Sequence, residues 1–151
     1  MDARSQLTEA LAALADKLGV APLATGEDQV SILSFDEVDI LITSDEQSLT
    51  VFARLGTAPQ NDSDLLEALL AANLFWQETG GATLSIEPYS RGIIMAQKVA
   101  AAEVFSVDSL EAAIENFARY AIEWSRTIDR LASGAAEASV ALPEAVLTNR
   151  A

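Results

Sequence analysis

The side chains in this sequence with the strongest claim to chemistry are carboxylates. Asp36, Glu37 and Asp39 stand opposite Asp45 and Glu46 across a stretch that reads as a hairpin. Clustered carboxylates can bind a hard cation such as calcium or magnesium. The EF-hand spacing and its glycine are missing, however, and turns are acidic of their own accord, so the cluster reads as a solvated turn. Serine and lysine occur without a glycine-rich phosphate loop or a nucleophile elbow. There is no cysteine and no histidine. Their absence removes disulfides, thiolate and imidazole metal sites, Ser-His and Cys-His catalysis, and the usual pH switch. The residues thus point away from an enzyme, and neither cofactor nor metal is expected.

Composition narrows the partners. A chain of 151 residues, half of them hydrophobic, is one domain with enough apolar mass for a core. Its net charge of −14 argues against nucleic acid or an anionic membrane as partner, while a basic segment would be attracted. Asp2, Glu9 and Asp16 interrupt any apolar run at the start, so no secretory signal is expected there. No stretch approaches the ~20 apolar residues of a membrane span. A cytoplasmic protein is the simplest expectation.

The elements organise around Asn61–Gly81 (NDSDLLEALLAANLFWQETGG). Asn61, Asp62, Ser63 and Asp64 can cap a helix start, and Gly80-Gly81 can end one. A helix of about four turns is expected between them. At about 100° per residue, Ala72, Leu65, Trp76, Leu69, Asn73, Leu66, Gln77, Leu70 and Leu74 fall on one arc of roughly 200°. Glu67, Ala71 and Glu78 lie opposite. One sheet covers a stripe of about 100° or a little more, so either the helix is wrapped by its own chain or its other half faces a second subunit; the second is favoured because so short a chain has few elements left to wrap it. Homodimerisation through Asn61–Gln77 is expected, with Leu66, Leu69, Leu70, Asn73, Leu74 and Trp76 at the interface.

Upstream, Leu7, Leu11, Leu14 and Leu18 mark a helix over Ser5–Leu18, stopped by Gly19 and Pro22, with a loop over Ala24–Asp28. Val30–Phe35, Asp39–Thr43 and Ser48–Leu55 read as three strands whose short connections make an antiparallel meander. After Gly80-Gly81, Thr83–Glu87 and Gly92–Val99 read as a second hairpin. Asp108 and Glu111 resemble a capping box for a last helix whose apolar positions run from Leu110 to Leu131. The order helix, three strands, helix, two strands, helix gives an α+β fold, an antiparallel sheet with helices on one face. Residues 1–131 form the expected domain and 132–151 a flexible tail carrying a short apolar patch, Val140–Leu142.

The stretch LLEALLAANLFWQETGGATLSIEPYSRGIIMAQKV resembles the signature of the type III secretion chaperones of the Tir-chaperone family. In that family a Leu-rich helix ends in an Ala-Asn pair and a Gly-Gly-x-x-Leu hairpin follows. Leu65–Leu70, Ala72-Asn73, Gly80-Gly81 and Leu84 match, with Ile94 and Met95 in the returning strand. Leu55-Gly56 and Pro59 match the preceding connection, and the order of elements agrees along about Ser5 to Leu131. The resemblance implies a cytoplasmic homodimer that holds the N-terminal segment of a secreted effector protein, does no chemistry, and leaves unfolding for export to a separate secretion ATPase. A structural or regulatory homodimer of the same fold without an unfolded client is the alternative.

Adjacent apolar residues in the strands suggest where such a client would lie. Ile32 and Leu33 must point to opposite faces, as must Ile40, Leu41 and Ile42, and likewise Val51 and Phe52. A sheet covered on one side should be polar on the other. The expected client surface combines the first helix and the strands beside it: Leu7, Leu11, Ile32, Leu33, Phe35, Ile40, Ile42 and Phe52, of which some must belong to the core.

Overall fold

The structure, a computed structural model, describes residues 3–20, 26–35, 37–103 and 106–133. Helix α1 (Ala3–Leu18) leads into a meander of β1 (Gly26–Phe35), β2 (Val38–Ser44) and β3 (Ser48–Thr57). Helix α2 (Ser63–Ala72) and a single 3₁₀ turn (Leu74–Trp76) follow. Strands β4 (Thr83–Ile86) and β5 (Gly92–Ala100) form the second hairpin, and α3 (Val107–Ser133) closes the order. The expected α+β architecture is present. The five strands form one antiparallel sheet in the order β1-β2-β3-β5-β4, so the second hairpin adds to the far edge of the meander.

Period-two alternation decides what the sheet buries. Leu33, Val38, Ile40, Ile42, Leu49, Val51, Ala53 and Met95 turn inward and join Leu7, Leu11 and Leu14 of α1, Leu65 and Leu69 of α2 and Phe117 and Ile128 of α3 in one core. The helices pack on that inner face; α3 lies across β2 and β3, and α1 lies beside α3. Lys17 at the end of α1 pairs with Glu111 in α3, which fastens the two helices together. None of the described helices is long and apolar enough to cross a membrane.

Four local expectations are corrected. Strand β1 begins at Gly26, inside the expected loop, and its pairing with β2 slips between Gly26 and Ser31. The cap of α3 is Ser106, not Asp108: Ser109 N–H donates to Ser106 Oγ at 3.1 Å and Ser106 N–H donates to Ser109 Oγ at 3.1 Å. Glu111 is consumed by Lys17 instead. Helix α3 runs to Ser133, two residues past the expected boundary at Leu131, and the rest of the expected tail with its Val140–Leu142 patch lies outside the described residues. The fourth concerns α2, which is ten residues long and stops at Ala72, well short of the expected four turns.

The stop has a specific cause. Asn73 leaves the helix axis to treat β4 as a partner strand: its Nδ2 donates to Leu84 O at 2.9 Å and its Oδ1 accepts from Leu84 N–H at 2.8 Å. Phe75 and Trp76 then adopt left-handed backbone, φ 54° and 56°. Such conformations persist in non-glycine residues only where surrounding contacts over-determine them. Here α3 supplies the contacts. Trp124 Nε1–H donates to Glu78 O at 2.9 Å and Asn116 Nδ2–H to Gly80 O at 3.2 Å. The Tyr120 ring lies against Gly80, where a Cβ would stand 2.3 Å from it.

Candidate protein-binding surfaces

The acidic cluster is taken up by the fold. Glu37 receives a bidentate fork from Arg126 of α3, with Nη2 at 2.9 Å from Oε1, and that hydrogen-bonded guanidinium holds its carboxyl below the usual range. Asp39 accepts from Ser34 Oγ at 2.7 Å. Asp45 closes the β2–β3 turn, accepting from Gln47 N–H and Ser48 N–H at 2.7 Å each and from Ser48 Oγ at 2.9 Å. These bonds, the Gln47 amide first, pull its pKa down. Asp36 lies outside the described residues. Asp45, Glu46 and Glu103 line an open cleft beside Lys98, whose ammonium is 4.0 Å from Asp45. Each carboxylate with a named partner is thus part of a turn or an ion pair.

Apolar side chains make the surfaces instead. On the outer face of the sheet, Ile32 pairs with Leu41, Leu41 with Phe52, and Phe52 with Ala96. Directly opposed residues on one face stand ~5 Å apart, so these four form a continuous row across four strands. Ile32 is 62% exposed, and Leu41, Phe52 and Ala96 are half-buried. Val30, exposed, extends the row along β1. Arg54 and Lys98 flank it on the same face, in a protein with few cations. The sheet is therefore apolar on both faces, whereas one side covered by helices ordinarily leaves the other polar.

A second surface surrounds the end of α2. Leu70 is 73% and Phe75 74% exposed, and Leu74 and Trp76 are about half exposed. Four large apolar side chains within seven consecutive positions, on a protein with its own filled core, mark an interaction site. The left-handed backbone at Phe75 and Trp76, within the turn Leu74–Trp76, projects both side chains outward; a continued helix would have carried Trp76 onto the same face as Leu65 and Ala72.

The structure divides the expected site residues. Of the expected client surface, Ile32, Phe35 and Phe52 are at least partly accessible. Leu7, Leu11, Leu33, Ile40 and Ile42 are at most 5% exposed and belong to the protomer core, so their place on a client surface is corrected. Leu33, Ile40 and Ile42 lie on the strand face that turns toward the helices, and Leu7 and Leu11 are on the side of α1 that faces the core. Of the expected interface, Leu70, Leu74 and Trp76 are exposed and Leu66 half-buried. Leu69 is only 4% exposed and packs inward, and the Asn73 amide is spent on β4, so neither is free for a partner. Leu41, Ala96 and Phe75 complete the two surfaces and escaped selection. Strand alternation already placed Leu41 opposite Ile40 and Ile42; Phe75 carried no signal, because its exposure depends on the break at Asn73.

The model of the Tir chaperone protein (CesT) family matches residues 9–125, which spans every element from α1 to most of α3. The chain belongs to the Tir chaperone protein family. The Tir chaperone of Escherichia coli O157:H7 is 26% identical over 98 residues, 64% of this chain and 62% of that protein. The match thus spans less than two thirds of its relative's length. Among solved structures, a chain of the ExsC-ExsE complex superposes with a TM-score of 0.70 at 19% identity, covering 83% of this chain and 96% of that one. The Yersinia pestis type III secretion chaperone SycH, solved with a stable fragment of YscM2, gives 0.58 at 18% identity over 78% and 98%. At such identities the likeness is one of fold. In this chain Ala72-Asn73 ends α2 against β4, and Gly80 lets Tyr120 of α3 pack against the loop.

Proposed function

We propose that this protein is a type III secretion chaperone, a homodimer that binds the N-terminal segment of a secreted effector protein in the cytoplasm and keeps it soluble and competent for export. It acts by holding, with no catalytic step, cofactor or metal, and unfolding for export falls to the secretion ATPase. The observation that carries this reading is the row Ile32–Leu41–Phe52–Ala96 on the outer face of the sheet, in a chain of the Tir chaperone family. An extended client laid over that row would bury its apolar side chains without disturbing the core. The cluster at Leu70, Leu74, Phe75 and Trp76 is the dimer interface, with Leu66 at its rim. An extended segment gains from such a preformed surface because the chaperone needs no reordering, and only the client loses conformational entropy.

Co-purification with truncated N-terminal segments of candidate secreted proteins tests the reading. Ile32→Asp and Phe52→Asp are expected to lose the client while the dimer keeps its melting temperature. Leu33→Asp and Ile40→Asp, which put a charge into the core, are expected to lose both. If every substitution that abolishes binding also unfolds the protein, there is no separate client surface, and a structural or regulatory dimer replaces this assignment. Elemental analysis of the purified dimer is expected to show no stoichiometric metal.

A further inference from the structure

The apolar row passes beside a cation that the fold holds in place and leaves without a counter-charge. Arg54 stands two residues along β3 from Phe52, so period two puts both on the outer face, ~7 Å apart. Thr57 is three residues on, an odd step that alternation alone would turn to the inner face. The pairing of β3 with β5, however, slips between Arg54 and Gly56. The extra residue re-phases the strand, and Thr57 comes up beside Arg54, whose Nη2 donates to its Oγ1 at 3.0 Å. Gly92, the partner of Thr57 on β5, leaves the space between them open: a Cβ there would stand 3.2 Å from Arg54 Cζ and Nε. The guanidinium therefore lies over the backbone of β5.

The carboxylates of this face are committed elsewhere. Glu87 Oε1 accepts from Tyr89 N–H at 3.0 Å, and its Oε2 accepts from Ser90 N–H at 2.7 Å and Ser90 Oγ at 2.5 Å. The Ser90 hydroxyl, then the Tyr89 and Ser90 amides, lower the Glu87 pKa, and Arg54 adds the smallest part. Asp39 accepts from Ser34 Oγ on β1. Lys98, on the other side of the row, has Asp45 at 4.0 Å. Arg54 has no ion-pair partner among the described residues. Its bond to Thr57 uses one donor of a five-donor fork.

We propose that Arg54 receives a carboxylate of the bound client, an Asp or Glu two positions from the apolar side chain that sits on Phe52. The assignment rests on the client reading above and adds a chemical requirement to it. Stacked strands keep their directions within about 30° of each other. A segment lying along β3 then presents alternate side chains to the sheet at the ~7 Å repeat that separates Phe52 from Arg54. One side chain meets the apolar row while the next reaches the guanidinium. The planar fork takes both oxygens of a carboxylate, and Thr57 and Gly92 have fixed its orientation beforehand. The net charge of −14 works against an acidic segment over the rest of the surface, so the requirement is local to this position.

Labelled peptides of alternating Val and Ser with a central Leu serve as probes. Three versions carry Glu, Gln or Lys two positions to either side of the Leu, so that either chain direction offers one to Arg54. Fluorescence anisotropy with the native full-length protein is expected to find the Glu peptide about five-fold tighter than the Gln peptide, with Lys weakest. The net charge alone would give the reverse order. Moving each Glu one position, onto the side turned away from the sheet, is expected to erase its advantage. Arg54→Glu is expected to invert the ranking at an unchanged melting temperature, since Arg54 is exposed. Arg54→Gln, which removes the charge without reversing it, is expected to bind the Glu and Gln peptides equally. Equal affinities in the native protein, or a Glu preference that survives Arg54→Gln, overturn the proposal and leave the client reading standing. Failure of all three peptides to bind overturns the client reading with it.

Discussion

Leu70→Asp tests the proposed dimer contact at the end of α2. Leu69 and Leu70 are neighbours in sequence, yet Leu69 is 4% exposed and Leu70 73% exposed in the protomer. If Leu70 is buried only by a second copy, its transfer from water contributes roughly 2 kcal/mol. An isologous interface uses each residue twice, so the loss approaches ~4 kcal/mol before any cost of burying two carboxylates face to face. At 1.4 kcal/mol per factor of ten this weakens the dimer by about a thousand-fold. A nanomolar dimer becomes micromolar, which sedimentation velocity across a concentration series resolves. Far-ultraviolet circular dichroism of the variant should remain native, because Leu70 contributes little to the protomer core. Leu69→Ala should do the opposite, costing the fold ~2–5 kcal/mol through the cavity it leaves. A Leu70→Asp protein that stays dimeric with wild-type affinity would refute the placement of the interface at the end of α2.

Asn73→Leu should leave Leu84 N–H and C=O without their partners and lower stability by about 2 kcal/mol, read as a lower denaturant midpoint at unchanged m-value. Gly80→Ala should be destabilising by ~2 kcal/mol or more, because φ is +64° and the new Cβ meets the Tyr120 ring. Gly80→Ala with Tyr120→Ala should recover less than Tyr120→Ala alone implies, since the backbone strain remains. Stability should also depend on pH through Glu37, whose folded pKa is lowered chiefly by the hydrogen bond from Arg126. A lowered folded pKa means the contribution is present above the ordinary carboxylate range and is lost as pH falls below about 4. The stability difference between the wild type and Arg126→Met should therefore shrink between about pH 5 and pH 3, and a constant difference would refute the role of the pair.

How much of this was legible in the sequence depended on the range of the interactions involved. The strands could be read because alternation is a local signal, and the same alternation put Ile32 and Phe52 on the opposite face from Leu33 and Val51. Which of the two faces the helices cover is not local. It is decided by α3, more than sixty residues downstream of β2, and so Leu33, Ile40 and Ile42 could not be told from Ile32 and Phe52 before the fold was known. The helix wheel over Asn61–Gln77 failed for a related reason. It assumed one continuous helix, and the strongest apolar arc in the chain seemed to support it. The interruption is made by a single amide, Asn73, that finds its partners on β4, and helix propensity carries no record of a hydrogen bond across a hairpin.

That interruption also explains why the arc looked too wide for one partner. Wrapped on one helix, Leu65, Leu69, Leu74 and Trp76 would form a single face wanting a single large neighbour. With the helix stopped at Ala72, the arc splits into two surfaces that point apart. Leu65, Leu69 and Ala72 fill the protomer, while Leu70, Leu74, Phe75 and Trp76 stand outside it. The surplus of apolar area seen in the sequence is real: part of it fills the protomer core and part stands exposed. Phe75 and Trp76 hold left-handed backbone only because Asn73, Gly80 and α3 pin both ends of the segment. If this surface is the dimer contact, the hydrogen bonds that hold it before association leave little ordering entropy to oppose pairing. Loosening Asn73 or Gly80 should therefore weaken the dimer beyond the loss in protomer stability, which a dimer dissociation constant measured well below the unfolding midpoint would expose.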